Sequence, residues 1–287
     1  MLVSRPDGAR LEVEVAGAVP ASASVVLVHG WTMTRSSWRP VVERVRRARP
    51  DVAVVTYDQR DHGESRPAPR ARGRGVAPEA SIATPADDLA AVVEQVALAG
   101  PVVLGGHSMG GMAVLGLAGR RPDLVRDRAA GVLLVNTAAG GLPRRRSLAA
   151  LMRALAAAPP GVRVPRVPAP AARRIGYGRA APRDVVARVR QGVPAPTARS
   201  VGTWYGALMA LDEDTSLAHL AGVPVAVLAG ETDRLTPSDH ARRIVARLPH
   251  ATLDVVPGSG HMLLFEHPDL VAARLLALLP PAPLGQG

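Results

Sequence analysis

Six short apolar runs constrain this chain more than any other feature: Val25 to Val28, Val52 to Tyr57, Val102 to Leu104, Val132 to Val135, Val223 to Leu228 and Thr252 to Val256. They are rich in β-branched residues and lack strict apolar/polar alternation, the pattern of strands buried on both faces. Such a sheet is parallel, and parallel neighbours need a crossover, usually a helix. Helix-like stretches do fall between the runs: Pro85 to Leu98, Met109 to Gly119 and Pro268 to Leu279. In the first, Thr84 is expected to cap the N-terminus, with Pro85 at the first helical position, Asp87 and Asp88 at the positive end of the dipole and Gly100 closing it. The expected fold class is α/β, a doubly wound and mostly parallel sheet flanked by helices.

Two segments break the rhythm. Arg66 to Ala80 is dense in Pro, Arg, Gly and Ala and reads as an exposed loop. Residues 138–222 hold no strand-like run, and their helical patches are separated by Pro159-Pro160 and Pro165 to Pro170. We expect a helical cap there, inserted into a core made of residues 1–137 and 223–287. The insertion carries 13 Arg against Asp184, Asp212, Glu213 and Asp214, so most of the excess charge sits in it.

Composition narrows the chemistry. The 287 residues are 47% hydrophobic, enough to bury a real core, but there are only three Trp, three Tyr and one Phe. That core must be Val, Leu and Ala, and little remains for a base-stacking surface. The absence of Cys excludes disulfides, thiolate nucleophiles, Cys-bound zinc and iron–sulfur clusters. The net charge of +11 comes from arginine alone, without any lysine, which points to coding bias rather than to a nucleic-acid partner. Met1 to Gly17 has no apolar core of a leader, and no window approaches the roughly 18 apolar residues of a membrane span. The expectation is a cytoplasmic protein acting on a small molecule.

The chemistry centres on Gly106-His107-Ser108-Met109-Gly110, which follows the Val102 run and opens a helix. A serine on a sharp strand-to-helix turn needs small residues two positions either side, and its hydroxyl then stands above the sheet at a helix N-terminus. A serine is a poor nucleophile until a base takes its proton, and that base needs a carboxylate to fix its tautomer. His261, in Pro257-Gly258-Ser259-Gly260-His261, follows the last strand run; Asp233, in Gly230-Glu231-Thr232-Asp233, follows the fifth. Both fall at carboxyl ends of parallel strands, where such sheets place reactive groups. Glu231 is the near alternative for the acid, with Asp212 and Asp214 weaker ones. A tetrahedral intermediate also needs two N–H donors, expected from Met109 and from Trp31 in His29-Gly30-Trp31.

With these motifs the chain resembles the α/β-hydrolase family over nearly its full length. Asp58-Gln59-Arg60-Asp61-His62-Gly63-Glu64-Ser65 is similar to a family loop that usually reads D-x-R-G-H-G-x-S. Asp61 replaces a glycine there, and Asp tolerates left-handed geometry better than most residues. The resemblance implies a cofactor-free, metal-free serine hydrolase acting on esters or related acyl compounds. Ser108 argues against epoxide hydrolase or dehalogenase chemistry, which would need Asp at the nucleophile position. The same triad would also serve thioester hydrolysis, carbon–carbon hydrolysis or perhydrolysis. His107, Trp204, Tyr205 and Phe265, together with Tyr177, Trp31 and Met109, are candidates to wall the substrate pocket, with core packing as the alternative reading. For His62 and His107 that alternative is loop hydrogen bonding, and His29 is expected to order its own loop. Arg144 to Arg146 offer a site for an anionic substrate group or a solvated face.

Overall fold

A computed structural model describes residues 1–18, 20–66, 81–97, 100–143, 146–159, 161–179 and 181–282. Its centre is an eight-stranded sheet in the order β1-β2-β4-β3-β5-β6-β7-β8. The strands are β1 (Leu2–Ser4), β2 (Arg10–Gly17), β3 (Ala23–Val28), β4 (Val52–Tyr57), β5 (Val102–His107), β6 (Ala129–Val135), β7 (Val225–Gly230) and β8 (Thr252–Val256). From β4 through β8 every pairing is parallel, whereas β1 and β2 add an antiparallel edge.

The six runs expected from sequence are β3 to β8. The fifth run becomes a strand only from Val225, because Val223 lies before Pro224. The β1–β2 edge lies outside those six runs, because its strands have one wet face. In β2, Leu11 and Val13 are buried while Arg10 and Glu14 are exposed, the alternation of a half-buried strand.

Alternate residues of each parallel strand serve opposite faces. Val26, Leu104, Val132 and Val227 join the core beneath α2 (Ala83–Gln95), α3 (Met109–Arg120) and α9 (Ser238–Arg247). Val25, Val103, Leu133 and Leu228 join the core beneath α1 (Arg39–Ala48) and α11 (Pro268–Leu278). The helix α4 (Pro122–Arg128) follows α3, and the four-residue α10 (Leu263–Glu266) precedes α11. In α2 the N-cap is Ile82, with Ser81 Oγ accepting the Ala83 N–H at 3.2 Å; Thr84 lies inside the helix, not at its cap. The helix starts two residues earlier because Pro85 is tolerated anywhere in the first turn, where N–H groups have no intrahelical partner.

Between β6 and β7 the chain forms α5 (Arg146–Ala156), α6 (Ala169–Gly176), α7 (Arg183–Gly192) and α8 (Ala198–Met209). The ends of this excursion are pinched together: Gly140 bridges Asp212, and the Glu213 N–H donates to the Ala139 carbonyl at 2.6 Å. Its α8 seats on the core through Trp204, Ala207 and Leu208, which with Leu211 just beyond the helix pack with Ile82, Met109, Met112 and Ala138. Of the Arg66 to Ala80 stretch, Arg66 pairs with Arg10, and the rest lies outside the described residues, as do Arg144 and Arg145.

The order of winding fixes where a site can form. From β3 the chain goes to β4 on one side, then returns to β5 on the other, so the sheet reverses direction between β3 and β5. Loops leaving the carboxyl ends of those two strands diverge and open a crevice. The loops in question are His29-Gly30-Trp31 and the Ser108 turn.

Candidate active site

Ser108 occupies that turn with φ +53° and ψ −120°, in the region that L residues avoid. Tight packing explains why it stays there. A Cβ on Gly106 would lie 2.5 Å from the Gly110 carbonyl, and one on Gly110 would lie 2.1 Å from the Val28 carbonyl oxygen. The Ser108 backbone is fully used: its N–H donates to Val135 O at 2.9 Å, and its carbonyl accepts from Gly111 N, Met112 N and Thr137 Oγ1. Its half-buried hydroxyl has no hydrogen-bond partner among the described residues.

Asp233 and His261 meet as expected. The Nδ1–H of His261 donates to Asp233 Oδ2 at 2.7 Å, and both side chains are buried. Asp233 Oδ1 accepts the Leu235 and Thr236 N–H groups at 2.8 and 3.0 Å. Asn136 Nδ2 reaches Oδ2 at 2.7 Å; Thr236 Oγ1 lies 2.8 Å from Oδ2 and from the Asn136 carbonyl, its single proton serving one of them. Burial alone would raise the Asp233 pKa, but the charge and hydrogen bond of His261 and the donors at Thr236 overcome it and hold the carboxyl at about 2. The carboxylate is therefore ionised at neutral pH and fixes the imidazole with Nε2 directed away from it. Glu231, the alternative acid, instead accepts the Gly258 N–H at 2.8 Å.

His107 joins the serine turn to this pair. Its Nε2–H donates to the His261 carbonyl at 2.8 Å, and the two rings lie 4.9 Å apart. Burial pushes the His107 pKa down to about 3, so the ring is neutral and its tautomer is set by that bond. No hydrogen bond links the Ser108 hydroxyl directly to His261; such contacts commonly tighten only when substrate is bound.

Gly30 packs on the same turn, where a Cβ would come 2.8 Å from His107 Nδ1 and 3.2 Å from Ser108 Cβ. The glycine thus lets the β3 loop lie against the serine. Among the described residues neither the Trp31 nor the Met109 N–H has an acceptor. His29 orders its own loop: Nδ1–H donates to Gly30 O at 2.8 Å, while Nε2 accepts the Gln59 N–H at 2.9 Å. His62 likewise bonds its loop, through the Arg60 carbonyl and the Thr32 N–H. The Asp61 turn survives as anticipated, with φ +61°. Its neighbour Gly63 is irreplaceable on steric grounds, since a Cβ there would sit 2.1 Å from Asp58 Oδ2.

The pocket candidates are dispersed. Tyr205 faces Trp31 with ring centroids 6.0 Å apart. Trp204 is buried in the seam under α8, its Nε1–H donating to the Arg60 carbonyl at 3.2 Å. Phe265 packs against the layer formed with α1 and α11. A small cleft of about 40 Å³ opens between Thr32 to Thr34, Asp61 to Gly63 and the α7–α8 connection at Pro194 to Thr197. Among the described residues no group of three His, Asp or Glu is placed to hold a metal ion. No helix among them is long and apolar enough to cross a membrane. Sequence reasoning missed Asn136, Thr236 and Glu266; the only signal was an Asn at the end of β6, held at φ +46°.

A profile of the Alpha/beta hydrolase family matches residues 25–274. The chain belongs to the α/β hydrolase family. Among solved structures, an esterase from Thermogutta terrifontis superposes with a TM-score of 0.74 at 25% identity, covering 96% of this chain and 95% of that one. The sn-1-specific diacylglycerol lipase of Mus musculus is 27% identical over 267 residues, 86% of this chain and 77% of that protein. A pimeloyl-[acyl-carrier protein] methyl ester esterase of Xanthomonas campestris is 38% identical over 93 residues, 31% of this chain and 36% of that enzyme. This α/β hydrolase has esterase and lipase relatives, and its candidate residues Trp31, Ser108, Asp233 and His261 lie on the loops after β3, β5, β7 and β8.

Proposed function

We propose that this protein is a serine hydrolase that cleaves a carboxylic ester, or a related acyl compound, through an acyl-enzyme. Ser108 is the nucleophile, His261 the base and Asp233 the carboxylate that orients it; the amides of Trp31 and Met109 form the oxyanion hole. Residues 138–222 act as a helical cap over this centre. The observation that carries the reading is the buried Asp233–His261 pair, joined through His107 to a serine held at φ +53°. The similarity to esterases supports the bond type.

The steps follow from the positions of the groups. Ser108 Oγ attacks the acyl carbon as its proton passes to His261 Nε2. The carbonyl oxygen takes up the negative charge beside two N–H groups that have no other acceptor, so no existing hydrogen bond is broken to stabilise it. His261 then protonates the departing alkoxide, and the acyl group stays on Oγ. Water enters, gives a proton to the same nitrogen and attacks the ester; collapse returns the proton to Ser108 and frees the acid. Ionised Asp233 stabilises the imidazolium in both halves.

The test is turnover of a p-nitrophenyl ester chain-length series by the wild type and Ser108→Ala, beside acyl-CoA thioesters and acetate with peroxide. The expected result is ester cleavage that falls by about 10⁴-fold or more in the variant. Preference for thioester, or for peracid formation, would reassign the substrate while keeping the triad; near wild-type ester turnover by Ser108→Ala would remove it.

A further inference from the structure

The loop that carries His261 has two polar edges, and they are held from different directions. Its carbonyl edge is held by the core: His107 donates to His261 O at 2.8 Å, Asn136 Nδ2 to Gly260 O at 3.2 Å and Thr232 Oγ1 to Ser259 O at 2.8 Å. The N–H edge on either side of His261 is held by one carboxylate. Glu266 Oε1 accepts from Gly260 N at 3.2 Å and from Met262 N at 3.3 Å. Its Oε2 lies 3.2 Å from Gly260 N and accepts a further N–H, that of Gly178, at 2.9 Å.

Gly178 belongs to the inserted segment, in the connection from α6 to α7. There the segment touches the base loop backbone to backbone. A Cβ on Gly178 would lie 2.1 Å from the Gly258 carbonyl oxygen, and one on Gly260 would lie 2.4 Å from the Tyr177 carbonyl carbon. Neither position accepts a side chain without the two strands of backbone parting. The Tyr177 hydroxyl is pushed above its usual range by burial and by the charge of Glu266, as expected for a cap leg lying against that carboxylate. Three converging N–H donors also explain why a carboxylate is needed. An amide would turn its own NH₂ toward one of them.

We propose that Glu266 is a positioning residue that binds the cap and the base loop together, so that seating of Gly178 and alignment of His261 form a single event. The proposal deepens the serine-hydrolase reading and rests on His261 being its base. The hydrogen-bond partners of Glu266 are backbone N–H groups and not the side chains of Ser108, Asp233 or His261. Glu266 acts through the peptide groups flanking His261 and through the cap leg.

The experiment is a double-mutant cycle on the full chain: wild type, Glu266→Gln, Gly178→Ala and the pair. The readout is the second-order rate of Ser108 labelling by a fluorophosphonate, which depends on serine–imidazole alignment and not on deacylation. The kcat and KM for a p-nitrophenyl ester and the melting temperature are measured alongside. Each single variant is expected to label about 10- to 100-fold more slowly, with KM within about twofold, and the pair no more slowly than the worse single. A purely structural role would lower the melting temperature without this split between rate and KM. Labelling of Glu266→Gln at the wild-type rate, or effects that multiply in the pair, overturns the coupling. Should Glu266→Gln not fold, Gly178→Ala carries the test alone, and an unchanged labelling rate overturns the proposal. A wild type that labels elsewhere than Ser108 overturns the triad reading, a failure distinct from that of the coupling.

Discussion

Asn136 Nδ2 donates to Asp233 Oδ2 at 2.7 Å, sharing with His261 the same carboxylate oxygen across 97 residues of sequence. Asn136 thus adds a further donor to the buried Asp233 carboxylate. Removing the donor by Asn136→Ala leaves a buried charge less well solvated, at a cost of about 1.5–3 kcal/mol. We expect kcat/KM for an ester to fall about 10- to 100-fold with KM little changed. Steady-state kinetics over pH 5 to 9 checks this, and an unaltered kcat/KM contradicts it.

The serine turn predicts its own sensitivity. Gly110→Ala places a methyl group 2.1 Å from the Val28 carbonyl oxygen, in a helix that cannot slide without moving Ser108. Such overpacking costs about 1–3 kcal/mol, occasionally more. The expected outcome is loss of most ester turnover with a lower urea midpoint. Full activity at unchanged stability would contradict the packing account.

Stability should fall with acid before any carboxylate protonates. Burial holds His29 at about 4, and His62 and His107 at about 3, against 6.5 in the unfolded chain. The folded values are depressed for a base, so below about pH 6.5 the unfolded chain binds protons that the native chain refuses. The stabilisation is complete above that pH and is lost as pH falls toward the folded values. From pH 6.5 to 5 the loss is on the order of 2 kcal/mol for each histidine. Urea midpoints at pH 7.5, 6 and 5 test the sign. A midpoint flat or rising across that interval would contradict it.

Trp204 fastens the inserted segment by packing on Met109 and Met112 and by its Nε1–H bond to the Arg60 carbonyl at 3.2 Å. Trp204→Phe removes the hydrogen bond and leaves the Arg60 carbonyl a partner short, costing about 1 kcal/mol, whereas Trp204→Ala opens a cavity and costs about 3–5 kcal/mol. Limited proteolysis should then cut first within residues 138–222. Equal protease resistance in Trp204→Ala and wild type would contradict the docking role.

What could be read from sequence followed from locality. Apolar runs with β-branched residues disclosed β3 to β8, and the candidate site positions fall just after those runs. Asp233 and Glu231 both follow the fifth run, and it is the structure that gives Glu231 another partner, Gly258 N. Residues whose work is to hold others were not legible. Asn136, Thr236 and Glu266 act through single polar atoms that converge from distant segments, and nothing in their immediate sequence marks that convergence. For His107 the sequence allows both pocket wall and loop partner; the structure buries it with its Nε2–H on the His261 carbonyl. The alternating Leu11 and Val13 were a readable strand signal of a kind different from the one that found the other six.

Ser108 is proposed as the nucleophile, with a reactivity that depends on His261. Fluorophosphonate labelling of wild type, Ser108→Ala and His261→Ala, with the modified residue mapped by mass spectrometry, tests it most directly. The account predicts rapid single-site labelling at Ser108 in the wild type, none in Ser108→Ala, and labelling slowed by about 10³-fold or more in His261→Ala. Labelling at another residue, or at Ser108 with equal speed in the absence of His261, would contradict it.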